Sequence, residues 1–257
     1  MTYRKLLPLG ACLIFATAGA APIMPSFSPV SSAPSGWYVD RYAPAGFEFI
    51  GPYQGKSDVL TISISSAGDA ASRPSIFSST FYNTQGRKFD LPPASTGTLN
   101  AALFVPASWA SPAPGYVRTD MWATMFAVSG QPSAYPILGF TNYGGSARFR
   151  AYAETGVWQD LAVPVLYDQW NDLSIEFTGT AFNYRVNGVL AFSDLDTNST
   201  IKFGNVMIQA YNFGQGFGSN DGPNYSANWS SASQVPEPST VLLAGAGLAA
   251  LLLLRRR

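Results

Sequence analysis

The chain lacks histidine altogether and has one cysteine, Cys12, among its 257 residues. Without histidine there is no Ser-His-Asp or Cys-His catalytic site and no histidine-ligated metal. Cys12 lies in a segment that we expect to be removed, so the mature protein has neither a disulfide nor a thiol. A domain of this size can form a sufficient core without one. We therefore expect no transition-metal cofactor.

Charged residues are also scarce, at 12% of the chain. Residues 22–234 carry ten lysines or arginines and fourteen acidic residues. Such a mildly acidic domain lacks the basic surface that neutralises nucleic-acid phosphates. No nucleic-acid partner is expected.

The N-terminus has the three parts of a signal peptide. Arg4-Lys5 is basic, residues 6–16 are apolar, and Ala18-Gly19-Ala20 offers small residues to signal peptidase. We predict cleavage after residue 20. Leu9-Gly10-Ala11-Cys12 also resembles a lipoprotein box, although the apolar stretch continues past the cysteine.

The C-terminus combines a chain break, an apolar run and a basic end. Val235, Pro236, Glu237 and Pro238 form an extended segment, because proline continues neither a helix nor a strand. Residues 241–254 are uncharged and favour a helix of about 21 Å, against a hydrocarbon core of about 30 Å. Arg255, Arg256 and Arg257 can reach the inner interface and stay cytoplasmic. This pattern predicts one transmembrane helix.

The order of these three parts resembles the PEP-CTERM sorting signal of Gram-negative bacteria. The resemblance implies that an exosortase, a membrane protease, cleaves near Pro-Glu-Pro after transient anchoring in the inner membrane. The protein would then be released or re-attached at the cell surface. Such sorting systems accompany exopolysaccharide production, which implies a surface or matrix protein. The signal gives an address and no activity.

Between the two termini we predict one domain, residues 37–218. A Pro- and Ser-rich lead-in, residues 21–36, precedes it, and a polar linker, residues 219–234, connects it to the sorting signal at 235–257.

Period-2 alternation marks this domain as all-β. Phe149 and Ala151 face one way, while Arg148, Arg150 and Tyr152 face the other. Asn187-Gly188 between two alternating runs predicts a two-residue hairpin turn. Many short strands imply an antiparallel two-sheet jelly-roll sandwich. The predicted core includes Leu60, Ile62, Phe149, Ile175, Phe177 and Tyr184.

A second resemblance supports this fold. Residues 158–160, 170–177 and 184–188 resemble laminin-G and concanavalin A-like jelly rolls, in which a tryptophan opens a strand and an Asn-Gly hairpin follows. These residues belong to the sandwich core, so the resemblance implies fold far more than function. It also implies that loops of such domains can bind calcium.

Glycanases of the concanavalin A-like class carry E-x-D-x-x-E or E-x-D-x-E on one strand, and this chain has no such run. Asp172 and Glu176 share a strand face, but their backbones are roughly 13 Å apart. Glycosidic cleavage needs carboxyl groups about 5.5 Å or about 6.5–9.5 Å apart. We therefore assign no catalytic residue and expect a non-catalytic protein. The alternative is a secreted polysaccharide hydrolase or lyase whose carboxylates come from different strands.

Asp194, Asp196 and Asn198 place oxygen-bearing side chains at alternate positions. This spacing resembles the start of a calcium loop, but Ser199 stands where an EF-hand needs glycine. Two interpretations stay open: a calcium loop of another kind, or an Asx-rich turn.

Arg148, Arg150 and Tyr152, with nearby Trp158, form the candidate carbohydrate site. Arginines pair with carboxylates and aromatic rings stack on sugars, so this face could bind an acidic exopolysaccharide. The other interpretation is a solvated sheet face.

Overall fold

The computed structural model describes residues 22–27, 36–94, 96–112, 115–214 and 222–231. These lie within one compact unit, Ala20–Val235. The predicted signal peptide, the motif from Val235 to Pro238, the apolar run 241–254 and the terminal arginines lie outside the described residues. Among the described residues, no helix is both long and apolar enough to cross a membrane.

Fifteen strands make up most of the described chain. They are β1 (Tyr38–Val39), β2 (Gly46–Tyr53), β3 (Lys56–Ile64), β4 (Thr84–Ala94), β5 (Gly97–Val105), β6 (Arg118–Ala127), β7 (Pro132–Ala134), β8 (Ile137–Thr141), β9 (Arg148–Tyr152), β10 (Trp158–Asp160), β11 (Gln169–Phe177), β12 (Ala181–Val186), β13 (Val189–Leu195), β14 (Thr200–Tyr211) and β15 (Tyr225–Ser230). Helix α1 spans Ser66–Ser72, and single 3-10 turns cover Ser75–Phe77, Thr80–Asn83 and Ala107–Trp109.

The strands form two antiparallel sheets. Sheet 1 has the order β1-β4-β14-β6-β8-β9-β10, with β7 beside β6, and sheet 2 has the order β13-β12-β11-β5-β15-β3-β2. This confirms the predicted all-β jelly-roll sandwich. Some neighbours are consecutive strands, but others, such as β14 and β6 or β5 and β15, are distant in sequence, so each inward face is assembled from separate segments.

The core lies between the two sheets and contains every residue predicted for it. The predicted core residues are all fully buried: Leu60, Ile62, Phe149, Ile175, Phe177 and Tyr184. Trp229 of β15 is also fully buried, and its indole N–H donates to Thr119 Oγ1 of β6 at 3.0 Å. This bond joins sheet 2 to sheet 1 through the core.

The hairpin between β12 and β13 confirms the predicted turn. Asn187 and Gly188 have φ angles of 50° and 80°. Both values are positive, as a type I′ turn requires.

The predicted linker, residues 219–234, contains a strand, which corrects its assignment. β15 lies between β5 and β3 in the middle of sheet 2. Ala227 and Trp229 are buried, with the part-exposed Asn228 between them. Small polar residues hide this alternation in the sequence, although the period of two is present.

The predicted lead-in, residues 21–36, also contains a packed part. Phe27 is fully buried, and the Ile23 amide donates to the Thr98 carbonyl at 2.9 Å. One large aromatic side chain provides the apolar area that holds residues 22–27 against the domain.

Helix α1 covers a buried polar network that the sequence did not indicate. Asp69 and Arg73 form an ion pair with no exposed side-chain surface. Arg73 also donates to Asn83 Oδ1 at 2.6 Å, and Asn212 donates to Asp69 Oδ2 at 2.6 Å. The network ties the segment from α1 to β4 onto the end of β14.

Candidate functional site

The outer face of sheet 1 carries polar and aromatic side chains in rows that cross the strands. One row runs Gln209, Asp120, Gly139, Arg150, Asp160 across β14, β6, β8, β9 and β10. The next row runs Met207, Trp122, Ile137, Tyr152, Trp158 across the same strands. Because side chains at alternate positions share a face, these residues meet although up to ninety positions separate them.

A groove of about 820 Å³ lies over this face. Its floor includes Arg118, Trp122, Tyr152, Trp158 and Tyr211, and the 79–81 segment forms part of one wall. We call this feature the groove. It combines aromatic surface with cationic groups.

Asp120 lies beneath the groove with no exposed surface. Its Oδ2 accepts from Arg118 Nε at 2.8 Å and from Gln209 Nε2 at 3.4 Å. Oδ1 has no hydrogen-bond partner among the described residues. Gly139 makes room for this carboxylate, because a Cβ at that position would collide with Oδ1. Asp120 thus holds Arg118 from below.

Two arginine side chains lie over the Trp158 ring. The guanidinium carbon of Arg150 lies 3.9 Å from the ring centroid, and that of Arg118 lies 4.7 Å from it. Tyr152 packs beside Trp158 with ring centroids 5.1 Å apart. The structure therefore brings together three of the four predicted carbohydrate-binding residues, and Trp158 is already a stacking partner for cations.

Arg148, the fourth predicted residue, contacts a turn. Its Nη1 donates to the carbonyls of Tyr143 at 3.2 Å and Ser146 at 2.9 Å. Its Nε lies 2.8 Å from Asp160 Oδ1, at an angle that makes the contact ionic without a hydrogen bond. Arg148 shares the outer face with Arg150 but holds the β8–β9 connection.

Asp194, Asp196 and Asn198 come together with Glu154 at the β13–β14 connection. Asp194 Oδ2 accepts from the Glu154 amide at 2.6 Å, and Asp196 accepts from the Asn198 and Thr200 amides at 3.1 and 2.8 Å. Within the described ranges, no group of three or more acidic, histidine or cysteine residues is arranged to hold a metal ion. Both interpretations of these residues, a calcium loop and an Asx-rich turn, stay predictions.

The two carboxylates that meet at this connection differ in proton affinity. Burial raises the pKa of Glu154 above its ordinary value. Burial alone would also raise the pKa of Asp196, but hydrogen bonds from the Asn198 and Thr200 amides outweigh it and lower the pKa. Glu154 is therefore the more easily protonated of the pair.

Asp172 and Glu176 lie on β11 of sheet 2, away from the groove. Glu176 Oε2 accepts from Asn183 Nδ2 of the neighbouring strand at 3.1 Å. Asp172 and Glu176 therefore cannot contact a ligand bound in the groove.

Sequence reasoning missed Arg118, Asp120, Trp122 and Gln209 as site residues. The first three alternate along β6, and that alternation was the available signal. Their meeting with Arg150 depends on strand order, which no local pattern gives.

The C-terminal residues 234–257 match a family profile described as the PEP-CTERM protein-sorting motif. This confirms the resemblance stated from the sequence. The motif implies an exported, transiently membrane-anchored protein that an exosortase processes for the surface. A comparison with curated protein sequences finds no match.

Solved structures with a similar fold include several proteins named for polysaccharide chemistry. A sialidase aligns with a TM-score of 0.51 at 9% identity, over 84% of this chain and 19% of its own length. The Thermotoga maritima MSB8 laminarinase catalytic domain gives 0.49 at 12% identity, over 82% and 95%. The Bacillus licheniformis beta-glucanase gives 0.44 at 14% identity, over 84% and 97%. At 9% identity the likeness to the sialidase concerns the fold alone, and this chain spans only a small part of that protein.

Proposed function

We propose that the protein is an exported surface or extracellular-matrix component that binds exopolysaccharide in the groove without cleaving it. The sorting motif supplies the destination. The groove, in which arginines and aromatic rings share one sheet face, supplies the binding chemistry. That face is the observation that carries the proposal.

The route begins with export behind a signal peptide. The apolar run 241–254 then anchors the chain in the inner membrane, with Arg255, Arg256 and Arg257 on the cytoplasmic side. An exosortase cuts near residues 236–239, because the two prolines there disfavour both helix and strand. The protein then reaches the cell surface or the extracellular space.

Binding to a glycan suits the groove in two ways. Sugar rings present apolar C–H faces, which pack on aromatic side chains such as Trp122 and Tyr211. Acidic sugars present carboxylates, which guanidinium groups bind in a planar, charge-assisted geometry. Both kinds of group line the same groove.

The groove acids favour binding over hydrolysis. Asp40 contacts Arg41 at 2.7 Å and Lys88 at 3.3 Å, and Asp120 contacts Arg118 at 2.8 Å. A glycosidase needs one carboxyl group to donate a proton and a second to attack or to activate water. Both groove carboxylates are engaged with cations instead.

Ligand binding is tested with the full chain, purified in a non-ionic detergent, on a glycan array. The same sample is assayed for release of reducing sugars and of unsaturated uronates. We expect retention of exopolysaccharide and no product. Product formation would establish the hydrolase or lyase alternative, and an array without any bound glycan would reject the binding proposal.

Sorting is tested by the intact mass of the protein recovered from the surface of cells that carry the exosortase. Glu237→Ala should leave the chain uncut, ending at Arg257. Glu48→Ala removes an exposed glutamate of β2 and is the matched control, which should be cut normally. Recovery of uncut parent protein from the surface would contradict the sorting route.

A further inference from the structure

We infer that Arg150, which lies over the ring of the groove residue Trp158, is the receptor for one carboxylate, and that the groove selects a heteropolysaccharide with isolated uronic acids between neutral sugars. This inference rests on the proposed glycan binding and names its substrate class. It follows from which cation of the face lacks an acidic partner.

The arginines on and around this face are neutralised unequally. Arg41 contacts Asp40, Arg118 contacts Asp120, and Arg148 contacts Asp160, at distances of 2.7 to 2.8 Å. Among the described residues, no carboxylate lies within ion-pair distance of Arg150. Three arginines thus contact a carboxylate of the protein itself, whereas Arg150 contacts none.

The partial burial of Arg150 makes the absence of a contacting carboxylate energetically unfavourable. Its Nε is shielded from solvent and has no hydrogen-bond partner in the described part of the chain. Burial lowers the pKa of Arg150 to about 10, and the charges of Arg118 and Arg148 add to this shift, while Asp120 and Asp160 oppose it from beyond ion-pair distance. A partly buried charge without a contacting carboxylate is destabilising, and an incoming anion relieves that cost.

The stacking on Trp158 prepares Arg150 for a planar anion. The guanidinium carbon of Arg150 lies over the ring, 3.9 Å from its centroid. A stacked guanidinium keeps its edge N–H groups available, and that edge matches both oxygens of a carboxylate. Because the ring also restricts the side chain, less entropy is lost when the anion binds.

A cluster of aromatic rings continues from the groove at Tyr211. Tyr211 contacts Phe213 at 4.8 Å between centroids, Phe213 contacts Tyr143 at 5.0 Å, and Tyr143 contacts Tyr116 at 5.0 Å. Tyr116 and Tyr143 are exposed. The exposed rings of this cluster suit the C–H faces of neutral sugars next to the single acidic one.

The test uses one heteropolysaccharide with a single glucuronate in each repeat, in its native form and after chemical reduction of the carboxyl groups. Calorimetry with the full chain in detergent should show binding to the acidic form that is on the order of 10-fold to 100-fold tighter. Arg150→Gln should weaken binding of the acidic form to the level of the reduced form, and should leave binding of the reduced form unchanged. A polyglucuronate of equal length should bind no more tightly than the heteropolysaccharide.

Arg185→Gln is the matched control, because it removes one positive charge from sheet 2. It should bind both forms like the parent, and thermal melting should show that each variant is folded. Equal weakening of both glycan forms by Arg150→Gln would overturn the inference, as would affinity that rises with every added carboxylate. Either result leaves the proposed glycan binding intact, whereas failure of the parent to bind any glycan rejects both.

Discussion

Asp69 and Asp120 are both almost fully buried carboxylates, with 2% and 0% exposure, but their surroundings differ. Asp69 accepts hydrogen bonds on both oxygens, from Gln85 at 3.1 Å on one and from Asn212 and Arg73 on the other. Asp120 accepts on one oxygen only, and Gln209 beside it also has a buried oxygen without a partner in the described residues.

The two clusters serve different purposes. Around Asp69, each described polar group that is buried has found a partner, as expected where the network only maintains the fold. On the groove face, Asp120 Oδ1, Gln209 Oε1, Trp122 Nε1 and Arg150 Nε remain without one. Unpaired buried polar groups cost free energy, so their concentration on one face indicates a surface organised around something other than stability.

The largest expected effect comes from breaking the satisfied cluster. Asp69→Ala leaves Arg73 buried without its counter-charge, and we expect a loss of about 3–5 kcal/mol in the free energy of unfolding. Urea denaturation measures it. Asp160→Ala is the control, because that acid is exposed and its ion pair contributes at most about 1 kcal/mol. Similar losses in both variants would show that the Asp69 cluster is no stronger than a surface pair.

A smaller effect is expected beneath the groove. Asp120→Asn keeps the shape of the side chain but removes the charge that Arg118 contacts, which should cost about 1.5–3 kcal/mol. It also leaves Arg118 without a counter-charge, so acidic glycans should bind more tightly. Denaturation and calorimetry on the same sample separate the two effects. Unchanged glycan affinity would argue against Asp120 as the residue that restrains Arg118.

Arg150→Gln should change stability by less than about 0.5 kcal/mol. The variant loses the contact with Trp158, worth about 0.5–2 kcal/mol, but it also removes an uncompensated, partly buried charge. These opposing effects should nearly cancel in urea denaturation. A loss as large as that of Asp120→Asn would mean that Arg150 maintains the fold.

The smallest effect on stability is expected at the β13–β14 connection, from a chelator added near Asp194, Asp196 and Asn198. Asp196 already accepts two backbone amides, so adding a chelator should leave the melting temperature unchanged. A fall in melting temperature that calcium reverses would identify a calcium loop instead.

Period-2 alternation was sufficient to predict the strands and which of their side chains face the core, and the Asn187-Gly188 pair predicted the turn, because these signals depend on neighbours in sequence. It also placed Arg150 and Tyr152 on one outer face. It failed for β15, where serine and asparagine between Tyr225, Ala227 and Trp229 resemble a linker.

The groove could be predicted only in part for a related reason. Asp120 meets Gln209 and Gly139 through strand pairing, across 89 positions in the first case. No local pattern reports such a register. The difference between Arg148 and Arg150 likewise depends on Asp160 of the neighbouring strand. Asp160 forms an ion pair with Arg148 and none with Arg150.

The position of β15 has a mechanical consequence. The strand is hydrogen-bonded on both sides, to β3 and β5, and the sorting motif begins at residue 234, shortly after its last residue. A pull on the C-terminus would reach β15 first, and the ladder bonds on both sides of that strand would share the load. Asp58 adds hydrogen bonds at the C-terminal end of β15, where it accepts from the hydroxyls of Ser230 and Ser231. A protein held by its C-terminus against flow would thus transmit drag into the centre of sheet 2 without peeling an edge.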